Sequence, residues 1–98
     1  MTINVKKDGE TLTIFPEGRI DATTATDFGK TVDENIEGIK ELVFDFEKLD
    51  YISSAGLRVL LTAQKNMSKQ GSMKVIHVAE VIMDVFNITG FSDILTIE

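Results

Sequence analysis

Two adjacent serines, Ser53 and Ser54, lie where the hydrophobic pattern changes from that of a strand to that of a helix. Before them, the apolar and acidic side chains of Leu42–Phe46 follow each other in the pattern of a buried strand. After them, apolar residues recur at helical spacing as far as about Met67. The sequence therefore predicts that a strand leads into a helix here, with the serine pair at the start of the helix.

A hydroxyl group at a helix start can serve two purposes. It can cap the helix by accepting a hydrogen bond from one of the free backbone N–H groups of the first turn. It can also carry a phosphoryl group, because the same N–H groups and the positive end of the helix dipole accommodate a phosphate. The residue types alone leave both roles open for Ser53 and Ser54.

The chain before this segment predicts a hairpin. Residues 3–5 and 12–20 each have the alternation of a half-buried strand, and Asp8-Gly9 between them suits a two-residue turn. Pro16–Gly18 interrupts the second strand, and a proline there removes one hydrogen-bond donor from the ladder. We therefore expect a bulge or an edge position around residues 16–18.

The remaining patterns complete an α/β fold. Helical spacing occurs over residues 22–36, 54–68 and 80–88. Strand patterns occur at 41–46, at 75–78, which includes His77, and at 94–97. The predicted order is β-β-α-β-α-β-α-β, which favours a mostly parallel, mixed sheet with helices packed on it and an antiparallel first hairpin. Val32, Leu60 and Phe86, one from each helix, are expected to point into one core.

Length and composition limit the function classes. A chain of 98 residues suits a single domain over residues 1–98. A net charge of −6 argues against nucleic-acid binding, which needs clusters of Lys and Arg. The chain has no cysteine, which excludes disulfides and suits a reducing, cytoplasmic setting. No leader sequence and no apolar run long enough for a membrane span is visible.

The sequence does not predict an enzyme. His77 is the only histidine, and its strand pattern predicts a packing or edge residue. The serine pair lacks the Gly-x-Ser-x-Gly frame of a nucleophile elbow and has no nearby base. Asp21, Asp45, Glu47 and Asp50 have no calcium-loop spacing, so a solvated surface is the better interpretation. We expect no metal and no cofactor.

Three segments resemble one known family. Leu49–Leu61 is similar to the phosphorylation segment of the STAS-domain anti-sigma factor antagonists. Gly18–Ala25 and Val85–Phe91 resemble the family's segments before its first helix and at the end of its last helix. The resemblance spans nearly all of the chain and implies the family's mixed sheet with helices layered on it.

The resemblance also implies a set of site residues. In the family the modified serine precedes one small residue and then Gly-Leu, which places the phosphate on Ser54; Ser53, where some members have Asp, is the alternative acceptor. Asp21 lies where the family has a residue beside the phosphoserine, and it also suits the cap of the helix that follows. The partner-binding residues implied are Asp21, Ser53, Ser54, Gly56, Leu57 and Arg58.

The implied function is partner switching. The unphosphorylated protein would be a free monomer that binds an anti-sigma factor with serine kinase activity and so releases a sigma factor. The kinase would phosphorylate Ser54 with ATP and Mg²⁺, and a PP2C-type phosphatase would reverse the modification. Two alternatives stay open: partner switching with an output other than sigma, and a structural STAS-like subunit of a transport complex.

Overall fold

The computed structural model describes residues 1–98 and contains five strands, three α-helices and one short 3-10 turn. In chain order these are β1 (Thr2–Asp8), β2 (Thr11–Ile20), α1 (Thr24–Asn35), β3 (Glu41–Asp45), β4 (Leu49–Ile52), α2 (Ser54–Ser68), β5 (Ser72–Ile76), α3 (Glu80–Thr89) and the 3-10 turn Phe91–Asp93. The predicted α/β class is confirmed, and the predicted range of the second helix, 54–68, matches α2.

The sheet is built around the long strand β2. Its strand order is β1-β2-β3-β5, and β4 also pairs with β2. The β1–β2 hairpin is antiparallel, whereas the β2–β3, β2–β4 and β3–β5 pairs are parallel. The first part of β2 pairs with β3 and its last three residues pair with β4, so these two strands follow each other along one side of β2. The mostly parallel, mixed sheet is as predicted.

Two glycines allow β2 to begin and to change partners. Gly9 and Glu10 form the two-residue hairpin loop, and Gly9 has a φ of +62°, which favours glycine. The register between β2 and β4 shifts between Gly18 and Arg19, and Gly18 has a φ of +93°. The unpaired extra residue is Asp50 of β4, so the irregularity lies beside the predicted position at 16–18, where β2 itself continues its regular pairing with β1.

The structure corrects the predicted element order at two places. Leu49–Ile52 forms the additional strand β4, and the predicted last strand at 94–97 reduces to one parallel bridge between Ile97 and Val75. The two middle residues of β4 are exposed, so this strand has no alternation to detect. Ile94 and Leu95 still belong to the turn, because their N–H groups donate to the carbonyl oxygen of Phe91, so the extended pairing begins only after them.

One hydrophobic core joins the sheet and the helices. Eighteen of its 21 buried residues come from β2, β3, β4, β5 and the three helices, and Ile39, Phe46 and Leu95 come from the connections. Val32, Leu60 and Phe86 all belong to it, which confirms their predicted placement. Phe44 on β3 packs against Phe28 of α1 and against Phe46, with ring centroids 5.5 and 6.0 Å apart.

His77 lies outside the strand in which it was predicted. β5 ends at Ile76, and His77 has a left-handed φ of 56°, which is uncommon for a residue with a side chain. Its Nδ1 lies 2.9 Å from Oδ1 of Asp45. The hydrogen bond to Asp45, together with the negative charge of that carboxylate, raises the pKa of the imidazole. His77 is therefore a turn residue held by a polar contact.

None of the helices has the length and apolar character that a membrane crossing requires.

Candidate functional site

The serine pair and Asp21 lie at the same edge of the sheet. Ile20 at the end of β2 is paired in parallel with Ile52 at the end of β4, so the residues that follow them leave the sheet side by side. The N–H group of Ser53 donates a hydrogen bond to the carbonyl oxygen of Ile20, at 2.8 Å. Two segments that are 32 residues apart in sequence therefore meet in one place.

Ser53 caps helix α2. It has an extended backbone, with φ −89° and ψ 173°, and its Oγ accepts a hydrogen bond from the N–H group of Gly56 at 3.3 Å. Its carbonyl oxygen accepts from the N–H group of Leu57 at 2.9 Å. The hydroxyl and the backbone of Ser53 are therefore engaged in holding the first turn of the helix.

Ser54 is the first residue of α2 and is exposed. Its hydroxyl makes no hydrogen bond within the chain. The N–H groups of Ser54 and Ala55 also find no acceptor within the chain, as expected for the first turn of a helix. Of the two serine hydroxyls, that of Ser54 is the one free to react.

Gly56 and Leu57 are buried beneath the serine pair. A Cβ atom on Gly56 would lie 2.7 Å from Cγ2 of Ile20 and 2.7 Å from Cγ1 of Ile52, closer than side chains approach each other. Leu57 is 5% exposed and belongs to the core. In the free protein both residues thus act by seating the helix start on the strand ends, and they offer no surface to a partner.

Arg58 is exposed and lies one helical turn after Ser54. Residues four apart on a helix share a face, so its guanidinium can reach a group carried by Ser54. Arg58 also borders a groove of about 200 Å³ between α1 and α2, together with Asp33 and Thr62. It is the one cationic side chain among the predicted site residues.

Asp21 is bound tightly to the segment that starts α1. Its Oδ1 accepts hydrogen bonds from the N–H and Oγ1–H groups of Thr23, at 2.9 and 2.7 Å, and from the N–H group of Thr24 at 2.9 Å. The N–H group of Asp21 in turn donates to Oγ1 of Thr24 at 2.8 Å. The predicted capping role is therefore confirmed. The hydroxyl of Thr23, with the N–H group of Thr24, holds the pKa of the Asp21 carboxyl well below its usual range.

This arrangement predicts a pH-dependent contribution to stability. Because the pKa of Asp21 is lower in the folded than in the unfolded state, its contribution is complete above the unfolded value of about 3.9 and is lost as the pH falls through the folded value. Asp21→Asn should therefore be less stable than the wild type at pH 7, and the difference should shrink below about pH 4. Urea unfolding at several pH values measures both.

The control for this prediction is Asp33→Asn. Asp33 is an exposed aspartate within α1, and its side chain makes no hydrogen bond. It should change stability much less than Asp21→Asn at neutral pH. A difference between Asp21→Asn and the wild type that stays constant down to low pH would contradict the role of the carboxylate charge.

Two residues beside the site were not selected from the sequence. The guanidinium of Arg19 lies over the ring of Tyr51, 4.3 Å from the ring centroid, and both residues are exposed. They face each other across the β2–β4 pair. Because β4 was not predicted, no signal in the sequence placed these two side chains together.

Two sequence relatives of the chain are both named as anti-sigma factor antagonists. The STAS domain family model matches residues 2–98. A stretch of 62 residues is 39% identical to BtrV of Bordetella bronchiseptica and covers 62% of this chain and 53% of that protein. The anti-sigma-B factor antagonist of Listeria monocytogenes is 30% identical over 103 residues, covering 100% of this chain and 89% of that protein.

Solved structures share the fold. An anti-sigma factor antagonist from Mycobacterium paratuberculosis superimposes with a TM-score of 0.89 at 18% identity, covering 98% of this chain and 83% of that one. The Bacillus cell fate determinant SpoIIAA in its phosphorylated form gives a TM-score of 0.77 at 16% identity, covering 99% and 91%. The match of the family model over residues 2–98, together with the full-length relative, establishes that this chain belongs to the STAS domain family.

Proposed function

We propose that this protein is an anti-sigma factor antagonist that works by partner switching. In its unphosphorylated form it binds a cytoplasmic anti-sigma factor with serine kinase activity, and the sigma factor is released. The relative from Listeria monocytogenes, which matches over 100% of this chain, is named an anti-sigma-B factor antagonist. The observation that carries the proposal is the exposed hydroxyl of Ser54, free of hydrogen bonds at the start of α2.

The switching reaction is a phosphoryl transfer. Oγ of Ser54 attacks the γ-phosphorus of ATP held with Mg²⁺ by the kinase, ADP leaves, and the hydroxyl proton passes to a base of the kinase. A PP2C-type phosphatase hydrolyses the product and regenerates the hydroxyl. ATP and Mg²⁺ belong to the kinase, so this chain needs no cofactor for the cycle and acts as a binding protein, not an enzyme.

The fold can accept the phosphate. Phosphorylation adds a charge of about −1.5 to −2 at pH 7. The free N–H groups of Ser54 and Ala55, the positive end of the dipole of α2 and the guanidinium of Arg58 all favour a negative group at this position. SpoIIAA has this fold in its phosphorylated form, which supports the same tolerance here.

An interface with a partner cannot accept the phosphate equally well. In the complex the surface of Ser54 would be covered, and a desolvated dianion is costly unless cationic groups pair with it. The exposed carboxylate of Asp50, close by in sequence, makes the site more negative still. The modification would therefore end the association and leave the fold intact.

The partner surface follows from exposure. Ser54 and Arg58 on α2 are exposed, while Asp21 and Ser53 at the strand ends are half-buried. We assign direct contact with the kinase to these four residues. Gly56 and Leu57, which are buried, keep them in position.

The choice between the two serines gives a direct test. Ser54→Ala should accept no phosphate from the cognate kinase with labelled ATP, and its stability should stay close to that of the wild type. Ser53→Ala should still be phosphorylated but should lose about 0.5–2 kcal/mol of stability, because the N–H group of Gly56 loses its cap. Phosphate transfer to Ser54→Ala, with none to Ser53→Ala, would move the acceptor site by one residue.

A charge placed at Ser54 should separate binding from folding. In Ser54→Asp a carboxylate would be covered in the complex with the kinase. The free energy of binding to the kinase should therefore weaken by at least about 1–3 kcal/mol, the cost of an unsatisfied buried polar group. Stability should be unchanged or rise by about 0.3–1 kcal/mol, since a helix N-terminus favours an acid. Calorimetric titration with the kinase and thermal melting of the same samples measure both quantities.

The isosteric variant Ser54→Asn is the matched control for Ser54→Asp, because it has nearly the same size without the charge. It should bind the kinase more tightly than Ser54→Asp. Equal affinity of Ser54→Asp and the wild type would contradict the switch and would favour a structural role for the domain.

A further inference from the structure

A second group of polar side chains lies apart from the serine pair, at the ends of β3 and β5. Asp45 is the last residue of β3, Glu47 follows it in the connection to β4, and His77 comes directly after β5. Each residue offers one metal-ligand atom, and these three atoms all lie within 4.8 Å of one another. The two strands are parallel neighbours with Asp45 opposite Ile76, so the sheet itself holds the group together.

Asp45 is a largely buried residue with one oxygen that makes no hydrogen bond. The residue is 9% exposed, and its Oδ1 accepts hydrogen bonds from the N–H group of Glu47 at 3.0 Å and from Nδ1 of His77 at 2.9 Å. Its other oxygen, Oδ2, receives no hydrogen bond within the chain. This oxygen is not enclosed by the protein, because no buried side-chain oxygen or nitrogen lacks a hydrogen-bond partner. It is therefore open to an ion that arrives from outside.

A cavity adjoins two of the three residues. Its volume is about 200 Å³, and its lining includes Asp45 and Glu47, with Asn4, Glu17 and Lys48 around them. His77 is not part of this lining, so the cavity gives access to the group from the side of the two carboxylates.

We propose that Asp45, Glu47 and His77 bind a divalent first-row transition-metal ion such as Zn²⁺. One imidazole nitrogen and two carboxylates suit such an ion, whereas Ca²⁺ and Mg²⁺ prefer oxygen ligands alone. The chain has no cysteine and no other histidine, so no second imidazole and no thiolate is available in it.

The distances need only a small adjustment. Zn²⁺ binds imidazole nitrogen and carboxylate oxygen at about 2.0–2.2 Å, which puts two ligand atoms at most about 4.4 Å apart. The present limit of 4.8 Å is a few tenths of an ångström longer, and Glu47 and His77 are exposed and free to turn inward. Asp45 is fixed and would be the rigid ligand. The ion would take the place of the proton between Nδ1 of His77 and Oδ1 of Asp45, since a ligating nitrogen must be free of its proton.

Zinc titration of the untagged protein tests the site. Because His77 is the only histidine, its ring signals in a nuclear magnetic resonance spectrum report on this position alone. We expect them to shift and saturate at one equivalent of Zn²⁺ and to stay unchanged with the same concentration of Mg²⁺. The proposal does not depend on phosphorylation of Ser54, so either can fail without the other.

Variants of the two exposed ligands test the assignment by calorimetry. His77→Asn removes the imidazole and keeps a residue that tolerates a left-handed backbone. Glu47→Gln changes an exposed side chain, so it should keep the fold even if His77→Asn does not. Removing a residue that only hydrogen-bonds to a metal ligand costs about 10–100-fold in metal affinity. Removing a ligand itself should cost no less, so each variant should bind Zn²⁺ at least about tenfold more weakly than the wild type. Glu37→Gln, an exposed glutamate elsewhere, should bind as the wild type does.

Three results would overturn the site. The first is a zinc titration that leaves the His77 ring signals in place. The second is equal Zn²⁺ affinity of Glu47→Gln and the wild type, which would mean diffuse binding to a chain of net charge −6. The third is an equal shift of the ring signals with Mg²⁺, which would reflect charge alone.

Discussion

Leu60→Ala should lower the free energy of unfolding by about 2–5 kcal/mol, the range for a buried leucine shortened to alanine. Leu60 is fully buried in α2 and shares the core with Val32 of α1 and Phe86 of α3. The deletion leaves a cavity where the helices and the sheet meet, and a close-packed interior refills such a space only in part. Denaturant unfolding followed by circular dichroism measures the loss.

Leu61→Ala is the control for this measurement. Leu61 is the same residue type at the next position of α2, but it is only half-buried. The loss should therefore be clearly smaller than for Leu60→Ala. A change below about 1 kcal/mol for Leu60→Ala would contradict the assigned core, since surface positions rarely exceed about 0.5 kcal/mol.

Gly56→Ala should destabilise the protein by about 1–3 kcal/mol, the usual cost of overpacking a core. The added Cβ would lie 2.7 Å from atoms of both Ile20 and Ile52, at the ends of β2 and β4. To make room, the start of α2 must move away from the strand ends, and Ser53 and Ser54 must move with it. Phosphorylation of Ser54 by the cognate kinase should therefore slow in this variant, besides the loss measured by unfolding.

Gly29→Ala makes the same chemical change inside helix α1. There the new Cβ would meet Cγ2 of Val59 at 3.3 Å, the end of a side chain that can shift slightly. Alanine is favoured over glycine within a helix by about 0.5–1 kcal/mol, which offsets this tight contact. Gly29→Ala should therefore leave the free energy of unfolding nearly unchanged. A destabilisation as large as that of Gly56→Ala would mean that any methyl group added to a packed helix has this cost, whether or not it meets the strand ends.

The helices were well predicted because each buries one regular stripe. In α2, the positions Gly56, Leu60, Ala63 and Met67 are all buried, and their spacing alone predicted residues 54–68. Strand β4 was not predicted, because its sequence has no regular hydrophobic pattern. It has four residues, with Asp50 and Tyr51 exposed in the middle, so neither alternation nor a continuous apolar run marks it.

The residue patterns predict the candidate site only one segment at a time. The resemblance implied that Asp21 lies beside the serine pair, but the physical cause of that proximity, the pairing of Ile20 with Ile52, cannot be read from the patterns. The same holds for Asp45 and His77. Their contact needs the β3–β5 register and a left-handed backbone at His77, and a strand pattern predicts neither.

The stacking of Arg19 on Tyr51 has a practical consequence. Tyr51 is the only tyrosine, and the chain has no tryptophan, so fluorescence excited at wavelengths that phenylalanine does not absorb comes from one ring. That ring is 39% exposed, lies two residues before Ser53 and has a guanidinium 4.3 Å from its centroid. A phosphate or a partner that draws Arg19 away would change the surroundings of this fluorophore. The protein thus contains its own optical reporter beside the serine pair, so the switching proposed for Ser54 can be tested in real time without a label.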